Sequence, residues 1–144
     1  MSTTVQVTFD SATPGELAQF WAEALGYVMQ PPPAGFASWE EMLRKFEVPE
    51  EQWDSRAAVI DPEGNGPRLF FQRVPEGKTA KNRVHLDLHV AIGLGDDQRR
   101  ERIESEVTRL EALGASVLQR MGPEAMSSFF VVLSDPEGNE FCVD

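Results

Sequence analysis

Apolar and polar positions alternate over residues 4–9, so that Val5, Val7 and Phe9 share one face of a strand and Gln6, Thr8 and Asp10 the other. The period then lengthens. Thr13-Pro14-Gly15-Glu16 has the form of a capping box with proline at the first helical position. Leu17, Phe20, Trp21, Ala24 and Leu25 follow as a stripe at helical spacing that stops at Gly26. Residues 27–30 predict a short strand, cut off by Pro31, Pro32 and Pro33. Residues 56–60 and 69–74 predict two more strands, joined through Asp61-Pro62-Glu63-Gly64-Asn65. That pentapeptide is a turn with a mechanism. Its Asp side chain can accept from nearby backbone N–H groups, Pro fixes φ, and Gly accepts a positive φ.

The pattern then recurs. Residues 82–90 alternate, with Val84, Leu86, Leu88 and Val90 on the expected apolar face and His85, Asp87 and His89 opposite. Asp96 or Asp97 is the expected cap of a long helix whose stripe is Ile103, Val107, Leu110 and Leu113, ending at Gly114. Residues 116–120 and 129–133 read as strands. The pentapeptide returns as Asp135-Pro136-Glu137-Gly138-Asn139, and Ala24-Leu25-Gly26 returns as Ala112-Leu113-Gly114. In the last strand Phe141 and Val143 face one way, Glu140, Cys142 and Asp144 the other. Two copies of one strand–helix–three-strand unit are therefore expected, residues 1–77 and 82–144, within a single domain. The fold class is α+β, with two βαβββ modules pairing into one curved, mainly antiparallel sheet that forms a cup with helices outside. Residues 31–54 have no counterpart in the second copy. They carry a second capping box at Ser38-Trp39-Glu40-Glu41 and an apolar stripe of Trp39, Met42, Leu43 and Phe46, with Trp53 beyond it. This insertion reads as a satellite helix, a lid or an interface.

Composition narrows the setting. A chain of 144 residues that is 41% hydrophobic can bury a core. No run reaches the roughly 20 apolar residues of a membrane span, and no basic, then apolar, leader opens the chain. Cys142 is the single cysteine, so no internal disulfide is available and a cytoplasmic setting is expected. A net charge of −11 argues against nucleic acid as a partner. Lys78, Lys81 and Arg83 are a local exception, read either as a solvated crossover or as a basic rim for a small anion.

The helices need apolar faces to cover, which leaves the polar strand faces on the other side. Gln6, Thr8, Asp10, Phe70, Gln72, His85, Asp87, His89, Glu140 and Cys142 are the expected lining of the cup. Trp39, Phe46 and Trp53 would add aromatic surface from the insertion. The double βαβββ pattern, the paired turns and the His that opens the second unit resemble the vicinal oxygen chelate superfamily. That superfamily includes glyoxalases, extradiol dioxygenases, methylmalonyl-CoA epimerase and the bleomycin- and fosfomycin-resistance proteins. Residues 67–76, 81–88 and 135–142 resemble its glyoxalase-like subgroup in particular. The resemblance implies a small-molecule ligand or substrate, often a homodimer, and in metal-using members a divalent ion such as Ni, Co, Zn, Mn or Fe. Each unit of those members gives one ligand from its first strand and one from its last. The first-strand positions match Gln6 and His85. The usual last-strand carboxylate position matches Cys142, with Glu140 the nearest carboxylate, and the first unit offers only Arg68, Phe70 or Gln72. Three readings follow from the resemblance: a binding protein with a metal-free cup, a metal-dependent lyase or isomerase using Gln6, His85 and Glu140, or a metal-free enzyme with His85 and Asp87 or Glu140 as acid and base.

Overall fold

A computed structural model describes residues 1–144, and each half of the chain builds its own four-stranded sheet. The halves are the units Met1–Gly77 and Lys78–Asp144. In the first unit the strands are β1 (Val7–Ser11), β2 (Val28–Met29), β3 (Arg56–Ile60) and β4 (Leu69–Arg73), in spatial order β1-β4-β3-β2. In the second they are β5 (Asp87–Leu88), β6 (Ser116–Met121), β7 (Phe130–Ser134) and β8 (Glu140–Val143), in order β5-β8-β7-β6. The two orders are the same topology. Each sheet has one parallel pair, first strand with last, and its other pairs are antiparallel. Helix α1 (Pro14–Leu25) covers the first sheet and α3 (Asp96–Leu113) the second, giving a mixed α+β fold of two βαβββ modules.

The apolar stripes do the packing that their spacing predicts. Leu17, Phe20, Trp21 and Ala24 of α1 are buried with Val59, Leu69 and Phe71 of the sheet beneath, and Phe9 stacks on Phe71. In the second unit Ile103, Val107 and Leu110 are buried with Val131, Leu133, Phe141 and Val143. One buried charge sits in α3. Glu106 is almost fully enclosed and is held by Arg102 and Arg109, whose guanidinium holds its carboxyl below the ordinary range.

The two pentapeptide turns occupy equivalent places, between the third and fourth strands of each unit. Asp61 accepts from the N–H groups of Glu63 and Asn65, and Asp135 from those of Glu137 and Asn139, so both carboxylates bond the positions two and four residues on. Gly64 and Gly138 both take the positive φ (75° and 86°) that closes such a turn.

Several local expectations are corrected. Thr13 makes no side-chain cap to α1; Ser11 Oγ accepts the Thr13 N–H instead, at 3.0 Å. The cap of α3 is Gly95, with Asp96 and Asp97 already inside the first turn, where their charge favours the helix dipole. Strand pairing in the second unit starts only at Leu86, whose carbonyl accepts the Cys142 N–H, so Val84 lies before the sheet and is exposed rather than packed. In the insertion, Ser38 caps α2 (Trp39–Lys45) as expected, but no residue of that helix is buried and Phe46 is 64% exposed.

Candidate functional site

The second unit brings three side chains with chemistry together. The parallel register of β5 and β8 sets Asp87 directly beside Cys142, and His85 lies two residues before Asp87 on the same face. His85 Nδ1 stands 2.7 Å from Asp87 Oδ1. One donor atom from each of His85, Asp87 and Cys142 falls within 4.8 Å of the others. A carboxylate can only accept, so the Asp87 contact puts a proton on Nδ1, and in the neutral ring Nε2 then keeps the free lone pair. Exposure grades across the cluster. The His85 and Asp87 side chains are partly open to solvent, whereas Cys142 is buried. Burial, with the Asp87 carboxylate beside it, pushes the Cys142 thiol up to about 11, so without a cation it is neutral at pH 7.

Glu140 and His89 have other partners. Glu140 accepts from the Asn82 N–H at 2.9 Å and pairs with Lys78 at 3.1 Å, and these contacts, the backbone one foremost, hold its carboxyl low. It does not join the three-donor cluster. His89 pairs through Nδ1 with Asp144, which raises its affinity for a proton.

The polar face of the first sheet is a second constellation. The parallel register of β1 and β4 pairs Thr8 with Phe70 and Asp10 with Gln72. Gln72 Nε2 donates to Asp10 at 2.9 Å, and Gln6 Nε2 donates to Thr8 Oγ1 at 3.3 Å. Gln6 Oε1 accepts from Arg68, which the sequence offered only as a last-strand position without a carboxylate. Its signal was register: the pairing that joins Val7 to Leu69 places residue 68 beside residue 6. In the insertion, both indole N–H groups are already used. Trp39 donates to Gln30 O and Trp53 to Val48 O, each at 2.9 Å, so these rings offer only their faces and edges to a ligand. Arg44 lies over the Trp53 ring, and Phe46 meets Phe36 at a tilted angle.

Comparison with known proteins agrees with this architecture. The family model described as glyoxalase-like domain matches residues 6–143. A fosfomycin resistance protein from Listeria monocytogenes, solved with Mn(II) and 1S,2S-dihydroxypropylphosphonic acid, is similar in structure at a TM-score of 0.63 and 9% identity, covering 99% of this chain and 89% of that one. A glyoxalase-related enzyme from Fulvimarina pelagi gives 0.61 and 14%, covering 99% and 87%. A glyoxalase/bleomycin resistance protein/dioxygenase family enzyme from Burkholderia phytofirmans gives 0.59 and 13%, covering 97% and 94%. No curated protein sequence matches significantly. At these identities the structural neighbours speak for the fold alone. With two βαβββ modules in place and a family match that runs through nearly the whole chain, this protein belongs to the glyoxalase-like domain family.

Proposed function

We propose that the chain binds a small molecule on the polar face of the second sheet, at a divalent metal held by His85, Asp87 and Cys142. The observation that supports this is the convergence of three different donor types within 4.8 Å. Their chemistry fits a metal of the zinc and cobalt class, which takes thiolate, imidazole and carboxylate together; three protein ligands leave a position for water or ligand. A thiolate fits Mn(II) poorly, so the Mn(II) of the Listeria protein is not carried over to this site. Binding would draw the proton from the Cys142 thiol, and two anionic ligands would then offset the charge of the ion.

A metal so placed would polarise a ligand oxygen, and in a lyase or isomerase of glyoxalase type this is the chemistry it would contribute. The chain's own residues supply the rest. Asp87 orients the His85 ring, and Lys78 with the Asn82 N–H keeps Glu140 ionised and outside the donor set. A metal-free second reading rests on the 2.7 Å His85–Asp87 pair, which leaves Nε2 able to take a proton from a ligand.

The test is metal content after chelation, zinc reconstitution and dialysis. Wild type and Glu140→Gln are expected to retain stoichiometric zinc, and Cys142→Ser and His85→Ala to lose it. Zinc in about 100-fold excess over its Kd should add about 2.7 kcal/mol of stability. Retention by Cys142→Ser with loss in Glu140→Gln would move the site to Glu140. No zinc in any form would leave the metal-free reading, in which His85→Ala should weaken ligand binding.

A further inference from the structure

Arg68 is held as few arginines in this chain are. Its Nε donates to Gln30 Oε1 and its Nη1 to Gln6 Oε1, both at 2.6 Å, and its Cζ lies 5.1 Å from the centre of the Phe70 ring. All three partners are neutral. The chain carries 24 acidic against 13 basic side chains, and Arg73, Lys78, Arg102, Arg109 and Arg120 each pair with a carboxylate. No ion pair includes Arg68.

The restraint comes from three strands. Parallel register puts Gln6 of the segment leading into β1 beside Arg68, and the Gln30 N–H bonds Ala58 O at 2.9 Å, extending β2 to the same region. The carboxamide of Gln6 is fixed in turn, because Nε2 donates to Thr8 and only Oε1 can face a guanidinium. Two acceptors and one ring therefore set the plane of the Arg68 side chain, while the Nη2 donors and the rest of Nη1 have no protein acceptor. A freely solvated arginine needs no such scaffold. A guanidinium that is immobilised, half-buried and left without a counter-charge is preorganised for a planar or tetrahedral oxyanion.

We propose that Arg68 is an anion-binding subsite on the polar face of the first sheet, taking the carboxylate or phosphonate group of a small organic acid. The neighbouring positions suit an apolar body: Phe70 is flanked in register by Thr8 on one side and Ala58 on the other. Asp10, two residues further along β1 and held by Gln72, disfavours a second negative group at that end. A monoanionic acid with the charged end at Arg68 is the class that fits.

The experiment is a titration of the full-length ¹⁵N-labelled chain, with chelator present throughout so that metal binding in the second unit contributes nothing. Benzoate, phenylphosphonate and the neutral isostere benzamide are the probes; the readout is the arginine Nε–H resonances together with the backbone amides of Leu69 and Phe70, which the Arg68 variants retain. Saturable movement of the Arg68 signal by an anion is expected, with benzamide roughly 10- to 100-fold weaker, as a charged hydrogen-bonded contact requires. Arg68→Met should lose that same factor and Arg68→Lys, which keeps charge without the fork, should fall between. Tighter benzoate binding would point to a carboxylate ligand and tighter phenylphosphonate to a phosphonate or phosphate. The proposal is overturned if neither anion moves the Arg68 resonance saturably, if benzamide binds as well as benzoate, or if Arg68→Met and Arg68→Lys both bind like wild type.

Discussion

Replacing Asp135 by alanine tests the duplicated turn where it matters most. Its side chain is only 3% exposed as part of the residue, so little water can take its place. Oδ1 accepts the Glu137 and Asn139 N–H groups at 2.9 and 3.0 Å, and Oδ2 accepts the Asn139 side-chain amide at 2.9 Å. Alanine leaves two backbone donors of a tight turn without partners. A hydrogen bond to a charged group contributes roughly 1.5–3 kcal/mol, and taking the lower end for each backbone bond gives a loss of about 3 kcal/mol. With a urea m-value of about 2 kcal/mol/M, the unfolding midpoint should fall by about 1.5 M. Asparagine keeps one acceptor oxygen but turns its own amide toward that of Asn139, so Asp135→Asn should lie between wild type and alanine. Asp61→Ala removes three backbone bonds, from Glu63, Asn65 and Gly66, but Glu63 and Asn65 are exposed and water can re-solvate them, so its effect should be smaller. The reasoning fails if Asp135→Ala shifts the midpoint by less than about 0.5 M, or if Asp61→Ala matches or exceeds it.

Two further predictions concern packing and charge. A Cβ at Gly66 would stand 1.9 Å from the Tyr27 hydroxyl, so Gly66→Ala should destabilise the first unit, and Tyr27→Phe in that background should restore part of the loss; a double variant no better than the single would refute this contact. Glu106 is held below its ordinary value of 4.5 mainly by its hydrogen bond to Arg109. A carboxyl depressed in the folded state contributes stability above its unfolded pKa and loses it as pH falls through the folded one. Urea unfolding should therefore show a wild-type advantage over Glu106→Gln that is constant from neutral pH to about 5 and shrinks below about 4. An advantage that grew toward acid would contradict the assignment.

Local chemistry was legible in the chain, and long-range register was not. The alternation over residues 7–10 and 140–143 predicted strands that do pair, whereas Val5, on the expected apolar face, lies before β1 and is exposed. The pentapeptide turns were legible because their bonds span at most five residues. His85 and Asp87 share a face by spacing alone, but Cys142 joins them through a parallel pairing 55 residues apart in sequence. Glu140 looked the better ligand because it is a carboxylate, and only the fold places Lys78 and the Asn82 N–H against it. Arg68 was named as a strand position, but its setting was not legible, since its partners Gln6 and Gln30 flank two other strands. Val84 fits an alternating pattern perfectly and is still exposed, because the partner strand begins two residues later. The stripe of α2 likewise satisfies helical spacing, yet Met42 and Leu43 are only half-buried and Phe46 is exposed.

The most direct measurement of the central claim is the absorption spectrum of the Co(II)-reconstituted protein, for wild type, Cys142→Ser and Glu140→Gln. Cobalt bound by His85, Asp87 and Cys142 should give a near-ultraviolet thiolate-to-metal charge-transfer band that saturates at one equivalent, persists in Glu140→Gln and vanishes in Cys142→Ser. A saturating cobalt spectrum without that band, or one unchanged by Cys142→Ser, would contradict a thiolate-containing site.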